Sequence, residues 1–161
     1  MNLKVLKRTF AEITKSIGLE TKFGGFVKET EEVVIVLSFK KSNYSTQVYL
    51  NIKLYIQGVF GKNYQLSREM VVNDVGDVFR RSPKDYDQIF DLGSDLSDNE
   101  RIEQLKAFVD EFLSGFIQQA LTVKGIMLLA EQGELYLLPA VKSALKKFPG
   151  RIGYISKYVI F

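Results

Sequence analysis

The beginning of the chain alternates apolar and charged positions with the period of a helix. The apolar residues recur three or four positions apart and are Leu3, Leu6, Phe10, Ile13 and Ile17. This spacing places them on one face and the charged residues between them on the other. Gly18 follows, where a helix commonly closes in the left-handed conformation that glycine adopts without steric cost. The pattern predicts an amphipathic N-terminal helix over residues 3–17.

After this helix the apolar period changes to that of strands. The segments with strand signals are residues 23–30, 33–37, 48–56, 68–72 and 75–80. Residues 33–37 are apolar throughout and β-branched except for one leucine, so they predict a central strand covered on both faces. Residues 48–56 alternate strictly, which predicts one core face and one partly wet face. The glycine pair Gly24-Gly25 predicts a bulge or a turn.

The last third of the chain carries helix signals. Ser97 and Glu100 have the spacing of a capping box. A wide apolar stripe follows and consists of Ile102, Leu105, Phe108, Val109, Phe112, Leu113, Phe116 and Ile117. Thr122 predicts the start of a shorter helix, and Pro139 predicts the start of a last helix that ends at Lys147. Residues 152–161 are apolar enough to dock as an edge strand.

Together these elements predict an α+β fold. We expect an N-terminal helix, an antiparallel sheet built around residues 33–37 and 48–56, and C-terminal helices packed on one sheet face. The chain of 161 residues has no Pro-, Gly- or Ser-rich linker, so we expect one globular domain over residues 1–161.

The composition excludes several classes of chemistry. The chain has no His, no Cys and no Trp, which excludes histidine-based hydrolase triads, cysteine nucleophiles, disulfides and thiolate or imidazole metal sites. The glycine-rich phosphate loops and the nucleophile elbow are also missing. Residues 85–103 are rich in carboxylates, but their spacing matches no EF-hand, and they complement the positive end of a helix. We therefore predict no cofactor, no metal site and no assigned catalytic residue.

The net charge of +3 is distributed unevenly along the chain. Residues 1–53 have nine basic and five acidic side chains (+4), residues 54–120 have seven and twelve (−5), and residues 121–161 have six and two (+4). A nucleic-acid binder concentrates its positive charge on one surface. The charge pattern would therefore favour nucleic-acid binding only if the two basic ends of the chain meet in the fold. The start of the chain resembles no signal peptide, and no stretch approaches the length of a spanning helix. We expect a cytoplasmic protein without membrane contact.

One constellation predicts a binding surface. The outward positions of the 48–56 strand and the turn before it provide tyrosines, amides and cations, namely Lys40, Lys41, Ser42, Tyr49, Asn51, Lys53 and Tyr55. Such a mixture on an open sheet face is used to stack nucleotide bases or to recognise a partner protein. The alternative is that a helix covers this face and buries the tyrosine rings as packing.

The N-terminal half contains short motifs in a fixed order. They are Ile17-Gly18-Leu19 with Lys22, then Phe26, Lys40-Lys41-Ser42, and Val48-Tyr49-Leu50-Asn51-Ile52. This order resembles the bacterial family catalogued as domain of unknown function 4304. Lys41, Ser42, Tyr49 and Asn51 match the family pattern, whereas Lys40 replaces a glutamine and Leu19 replaces an aromatic residue. The resemblance extends over residues 1–147, leaving 148–161 as a tail, and it implies an α+β fold and a bacterial source but no activity.

These observations favour a non-enzymatic binding or protein-interaction module as the function. A specific version is a toxin-neutralising immunity protein, whose acidic residues 85–103 contact a basic nuclease. The first alternative is a nucleic-acid-binding domain that uses Tyr49, Lys53, Lys40 and Lys41. The second alternative is a hydrolase that uses two carboxylates in a deep pocket.

Overall fold

The computed structural model describes residues 1–147, and the predicted edge strand at 152–161 lies outside this part of the chain. Helix α1 spans Leu3–Thr14 and continues as a 3-10 turn over Lys15–Ile17. The Asn2 side chain caps its first turn by accepting from the Val5 amide, and Gly18 closes it with φ of 83°. The predicted N-terminal helix is confirmed.

The sheet contains five antiparallel strands in the order of the chain, β1-β2-β3-β4-β5. They are β1 Glu20–Lys22, β2 Gly25–Glu29, β3 Val33–Lys41, β4 Val48–Ile56 and β5 Val78–Arg81. The predicted strand at 48–56 is confirmed with its ends, and those at 33–37 and 75–80 are confirmed with shifted ends. The strand predicted over 23–30 is present as β2, but it begins two residues later, because Phe23 and Gly24, with φ of 54° and 81°, form a tight turn that joins β1 to β2.

The strand predicted at 68–72 is wrong, because these residues form the short helix α2, Arg68–Val72. The Ser67 hydroxyl accepts from the Met70 amide at 3.4 Å and begins the helix. Met70 and Val71 then point together into a buried cluster against the sheet. Tertiary packing of these two side chains outweighs the preference of the valines for strands.

Five α-helices remain within residues 1–147, namely α3 Asp87–Phe90, α4 Asp98–Phe108, α5 Ser114–Ala120, α6 Val123–Glu131 and α7 Pro139–Lys146. Of these, α4, α6 and α7 begin at the predicted positions, whereas the short helix α3 was not predicted. A π-helical turn, Val109–Leu113, joins α4 to α5, so the long predicted helix is continuous but widened in the middle. The capping box of Ser97 and Glu100 is formed, and Thr122 accepts from the Gly125 amide. No helix within residues 1–147 is long and apolar enough to cross a membrane.

Helices and sheet form the expected α+β layers. On the inner face, Ile35 and Ile52 share one buried cluster with Phe10 of α1, Phe108 of α4 and Ile117 of α5. Each such side chain contributes about 1.5–3 kcal/mol when it leaves water. The helices that follow the sheet therefore seal its inner face, as predicted. The outer face carries a second, smaller cluster, and that face positions the candidate site.

Candidate functional site

The outer face of the sheet is divided into a covered half and an open half. In the covered half, Met70 and Val71 of α2 pack on Val34, Val36 and Tyr55. The open half carries outward residues of β3, β4 and β5 and forms one side of a cleft. The division arises because α2 is only five residues long and cannot span the whole face.

Close approach of α2 depends on a glycine in β2. A Cβ on Gly25 would lie 2.6 Å from Val71 Cγ1 and 2.8 Å from the Leu37 carbonyl oxygen. Both distances are shorter than real Cβ contacts allow, so a side chain at this position would force the helix away from the sheet. Gly25 therefore allows α2 to lie close to the sheet.

Two of the predicted binding residues lie beneath α2. Lys53 is 3% exposed and Tyr55 is 2% exposed. Lys53 Nζ donates to the carbonyl oxygens of Met70 at 3.1 Å and Val71 at 2.8 Å, and the Tyr55 hydroxyl donates to that of Met70 at 3.0 Å. The last carbonyls of a helix have no partner within it, and these bonds satisfy two of them. The expected open face is thus wrong for Lys53 and Tyr55, which anchor the helix.

Burial also shifts the pKa of both groups. Desolvation lowers the pKa of Lys53 below its ordinary value of 10.5, and the negative charge of Asp74 opposes that shift. Desolvation raises the pKa of Tyr55, and Asp74 raises it further. Both shifts favour the neutral form of the group. Neither residue offers a free charge or an open ring to a partner.

The open half contains a straight row of polar side chains across three strands. Ser38 of β3 lies opposite Asn51 of β4, and Asn51 lies opposite Arg81 of β5. Adjacent strands are about 4.8 Å apart, so the row extends about 10 Å. Lys40 lies two residues beyond Ser38 on the same face of β3, directly opposite Tyr49. All four polar side chains are hydrogen-bond donors.

Two neighbours hold the Arg81 guanidinium in place. It stacks on the Tyr49 ring with 3.9 Å between Cζ and the ring centroid, and its Nε donates to Asn51 Oδ1 at 3.3 Å. Within residues 1–147, the two Nη atoms of Arg81, the Asn51 amide nitrogen, the Ser38 hydroxyl and the Lys40 ammonium make no hydrogen bond or ion pair. The row therefore presents oriented donors without acceptors.

The cleft beside this row has a volume of about 460 Å³. Its basic side chains are Lys7, Lys40, Arg81 and the buried Lys53, and Asp74 is the one carboxylate among its described lining residues. Its apolar rim consists of Phe23, Val72, Val75 and Phe79, whose exposed fractions are 49%, 51%, 64% and 40%. Positive charge and exposed apolar surface therefore meet in one concave site.

The structure brings together some of the predicted residues and separates others. Lys40, Asn51 and Lys53 line the cleft, and Tyr49 supports it through Arg81. Lys41 is exposed but belongs to the opposite face of β3, and Ser42 forms the following turn, where its hydroxyl accepts from the Tyr44 amide. Neither lines the cleft.

Sequence reasoning missed the residues that other elements bring to the cleft. Arg81 and Ser38 complete the row, and Phe23 and Phe79 supply the aromatic part of the rim. Phe79 and Arg81 alternate with Val78 and Arg80, which is a usable signal for one face of a strand. That signal becomes specific only when the pairing of β5 with β4 is known.

Several carboxylates of the acidic segment, residues 85–103, have partners within the fold. Asp98 pairs with the N-terminal ammonium at 3.1 Å, and Glu100 completes the capping box. Asp91 accepts from the Thr46 hydroxyl and the Gly93 amide, and these hydrogen bonds hold its pKa below 3.8. Within residues 1–147, no group of three acidic side chains is arranged to hold a metal ion.

Comparisons with protein-family models, curated proteins and solved structures find no match for the chain. The resemblance to domain of unknown function 4304 therefore stays a prediction, and the geometry of the cleft carries the functional argument.

Proposed function

We propose that the protein is a non-enzymatic protein-interaction module that binds an acidic segment of a partner protein in the cleft on the outer sheet face. The carrying observation is that unpartnered cationic donors and an exposed apolar rim line the same cleft. Exposed apolar surface with arginine and aromatic residues is typical of protein interfaces. The unbalanced positive charge selects a partner with negative charge.

This proposal includes a bacterial cytoplasmic setting and the family suggested by the N-terminal motifs. It changes the immunity hypothesis in one respect. Asp91, Asp98 and Glu100 of the acidic segment already have partners in the fold, whereas the Lys40 ammonium and the two Nη atoms of Arg81 have none within residues 1–147. A neutralised toxin, if that is the partner, would present acidic residues to the cleft.

Affinity purification of matched variants from the native host tests the proposal. The cleft variant carries Lys40→Glu and Arg81→Glu, and the control variant carries Lys41→Glu and Arg68→Glu. Both make the same change in charge at exposed positions, but only the first alters the cleft. We expect one protein to be recovered with the wild type and with the control, and to fall at least tenfold with the cleft variant, since losing about 1.4 kcal/mol of binding is a tenfold change.

Two results would overturn the proposal. One is that no protein shows recovery dependent on the cleft, although both variants unfold in urea like the wild type. The other is that the recovered protein disappears after nuclease treatment, which would indicate a nucleic acid between the two proteins.

The second candidate is binding of single-stranded nucleic acid in the same cleft. The specific observation is the Arg81 guanidinium stacked on Tyr49, because nucleotide bases stack on aromatic rings and on guanidinium planes. Fluorescence anisotropy with oligothymidylate and oligouridylate tests this candidate. It predicts an affinity that falls steeply with salt, from counterion release, and an absence of binding at low salt eliminates it.

The carboxylate-based hydrolase has no comparable support. Its mechanism needs two acidic groups facing one substrate bond. Asp74 is the one carboxylate among the described residues that line the cleft, so these residues provide no second acid to face a substrate bond. We do not propose this function.

A further inference from the structure

We propose that Arg81, Asn51 and Ser38, together with Lys40, form a recognition subsite for a side-chain carboxylate of the acidic partner segment, with Arg81 as the specificity-determining residue. This inference rests on the proposed function and adds the chemical group that is bound and the residue that selects it.

Arg81 is held in one orientation by its neighbours. Its Nε is occupied by Asn51 and its flat face by Tyr49. Both contacts leave the two Nη atoms available, and guanidinium nitrogens form a fork that matches the two oxygens of a carboxylate. An arginine that is held before binding loses less side-chain entropy when the partner arrives.

Further donors lie beside Arg81 on the neighbouring strands. The Asn51 amide nitrogen and the Ser38 hydroxyl continue the line of donors from Arg81 across β4 and β3. An anion placed over the row accepts from several donors at once, and charge-assisted bonds of this kind are about twice as strong as neutral ones. Lys40, on the same face, adds a positive charge without a fixed geometry.

The surroundings of the row favour a carboxylate over a phosphate. Val72 and Val75 form the wall of the cleft on the α2 side and give aliphatic contacts, which suit peptide side chains. Asp74 lies on the same wall and repels a chain of phosphates, which is charged at every nucleotide, more than a peptide whose acidic residues are separated by apolar ones. The surroundings therefore favour a peptide that alternates acidic and apolar residues.

NMR titration tests the subsite. The probe is the peptide Glu-Val-Glu-Phe-Glu-Val-Glu, its control is the same peptide with Gln in place of Glu, and oligothymidylate is the competing ligand. The observed signals are the Arg81 Nε–H and the Asn51 side-chain amide. We expect the acidic peptide to shift both signals, and the glutamine peptide to bind at least tenfold more weakly.

The decisive variant is Arg81→Lys, which keeps the charge and removes the fork. We expect it to weaken the acidic peptide about tenfold, as one charge-assisted hydrogen bond would, whereas the control Arg68→Lys at the start of α2 changes the affinity less than twofold. Equal binding by Arg81→Lys and the wild type would overturn the subsite but leave the interaction module intact. Failure of the acidic peptide to shift either signal overturns the subsite as well. Tighter binding of oligothymidylate at the same signals would overturn both proposals in favour of nucleic acid.

Discussion

The substitution Gly25→Ala tests how α2 is held on the outer sheet face. The added Cβ would lie 2.6 Å from Val71 Cγ1 and 2.8 Å from the Leu37 carbonyl oxygen. Leu37 belongs to β3, which is paired with β2 on one side and β4 on the other, so its backbone cannot move aside. Lifting α2 relieves the overlap with Val71 and would weaken the bonds from Lys53 and Tyr55, whereas the overlap with the Leu37 carbonyl oxygen remains as strain between β2 and β3.

The expected cost follows from these two overlaps. Overpacking a tight site costs about 1–3 kcal/mol, and contact with backbone belongs at the upper end of that range. Replacing glycine with alanine also reduces the conformational entropy of the unfolded chain, which offsets about 0.4–1 kcal/mol of that cost. We therefore expect Gly25→Ala to lower the free energy of unfolding by about 2 kcal/mol, which corresponds to a factor of about 30 in the equilibrium.

Urea denaturation followed by circular dichroism measures this difference. Gly115→Ala in α5 is the matched control, because a Cβ there meets nothing within 4 Å and alanine is the better helix former by about 0.8–1 kcal/mol. In a Val71→Ala background, one of the two overlaps disappears, so the cost of Gly25→Ala should fall to about 1 kcal/mol. The reasoning is refuted if Gly25→Ala matches the wild type within about 0.5 kcal/mol, or if the two substitutions are additive.

Three further substitutions test other parts of the fold. Tyr55→Phe removes the hydroxyl that donates to Met70, and urea denaturation should show a loss of about 1 kcal/mol. Ser97→Ala breaks the capping box of α4, and we expect thermal unfolding to show a loss of about 1 kcal/mol. Asp91 has a lowered pKa, first through its hydrogen bond from Thr46, so its stabilisation is complete above pH 3.8 and is lost as the pH falls through the lower pKa of the folded state. Urea titrations should therefore show that Asp91→Asn is less stable than the wild type at neutral pH and that the difference shrinks below pH 3.8.

Local signals predict the layers of this fold because their physical causes are local. The apolar period of α1 and the capping box at Ser97 depend on residues within one or two turns, and both are present as predicted. The alternation of β4 also identifies its core face, since Leu50, Ile52 and Leu54 are buried. Packing of the later helices on that face follows from the wide apolar stripe.

The wrong or missing predictions concern residues whose structure or exposure depends on segments that are distant in the sequence. Residues 68–72 have the valines of a strand, but contact with the sheet and the Ser67 cap make them helical. Lys53 and Tyr55 alternate outward as expected, yet α2 returns to cover them. Arg81 was not among the predicted site residues because its position beside Asn51 depends on the pairing of β5 with β4.

The covered and open halves of the outer face are physically coupled. Lys53 and Tyr55 hold the C-terminal end of α2, and the residues that follow, from Asn73 to Val75, form a wall of the cleft. A ligand that binds only when this wall is in place stabilises the docked helix in proportion to its concentration relative to Kd. Conversely, a substitution that loosens α2 lowers the fraction of molecules able to bind, even when every residue of the Ser38–Asn51–Arg81 row is intact. Both tyrosines of β4 therefore contribute to the same site. The buried Tyr55 holds α2 and with it the wall of the cleft, and Tyr49 orients Arg81, which faces the partner.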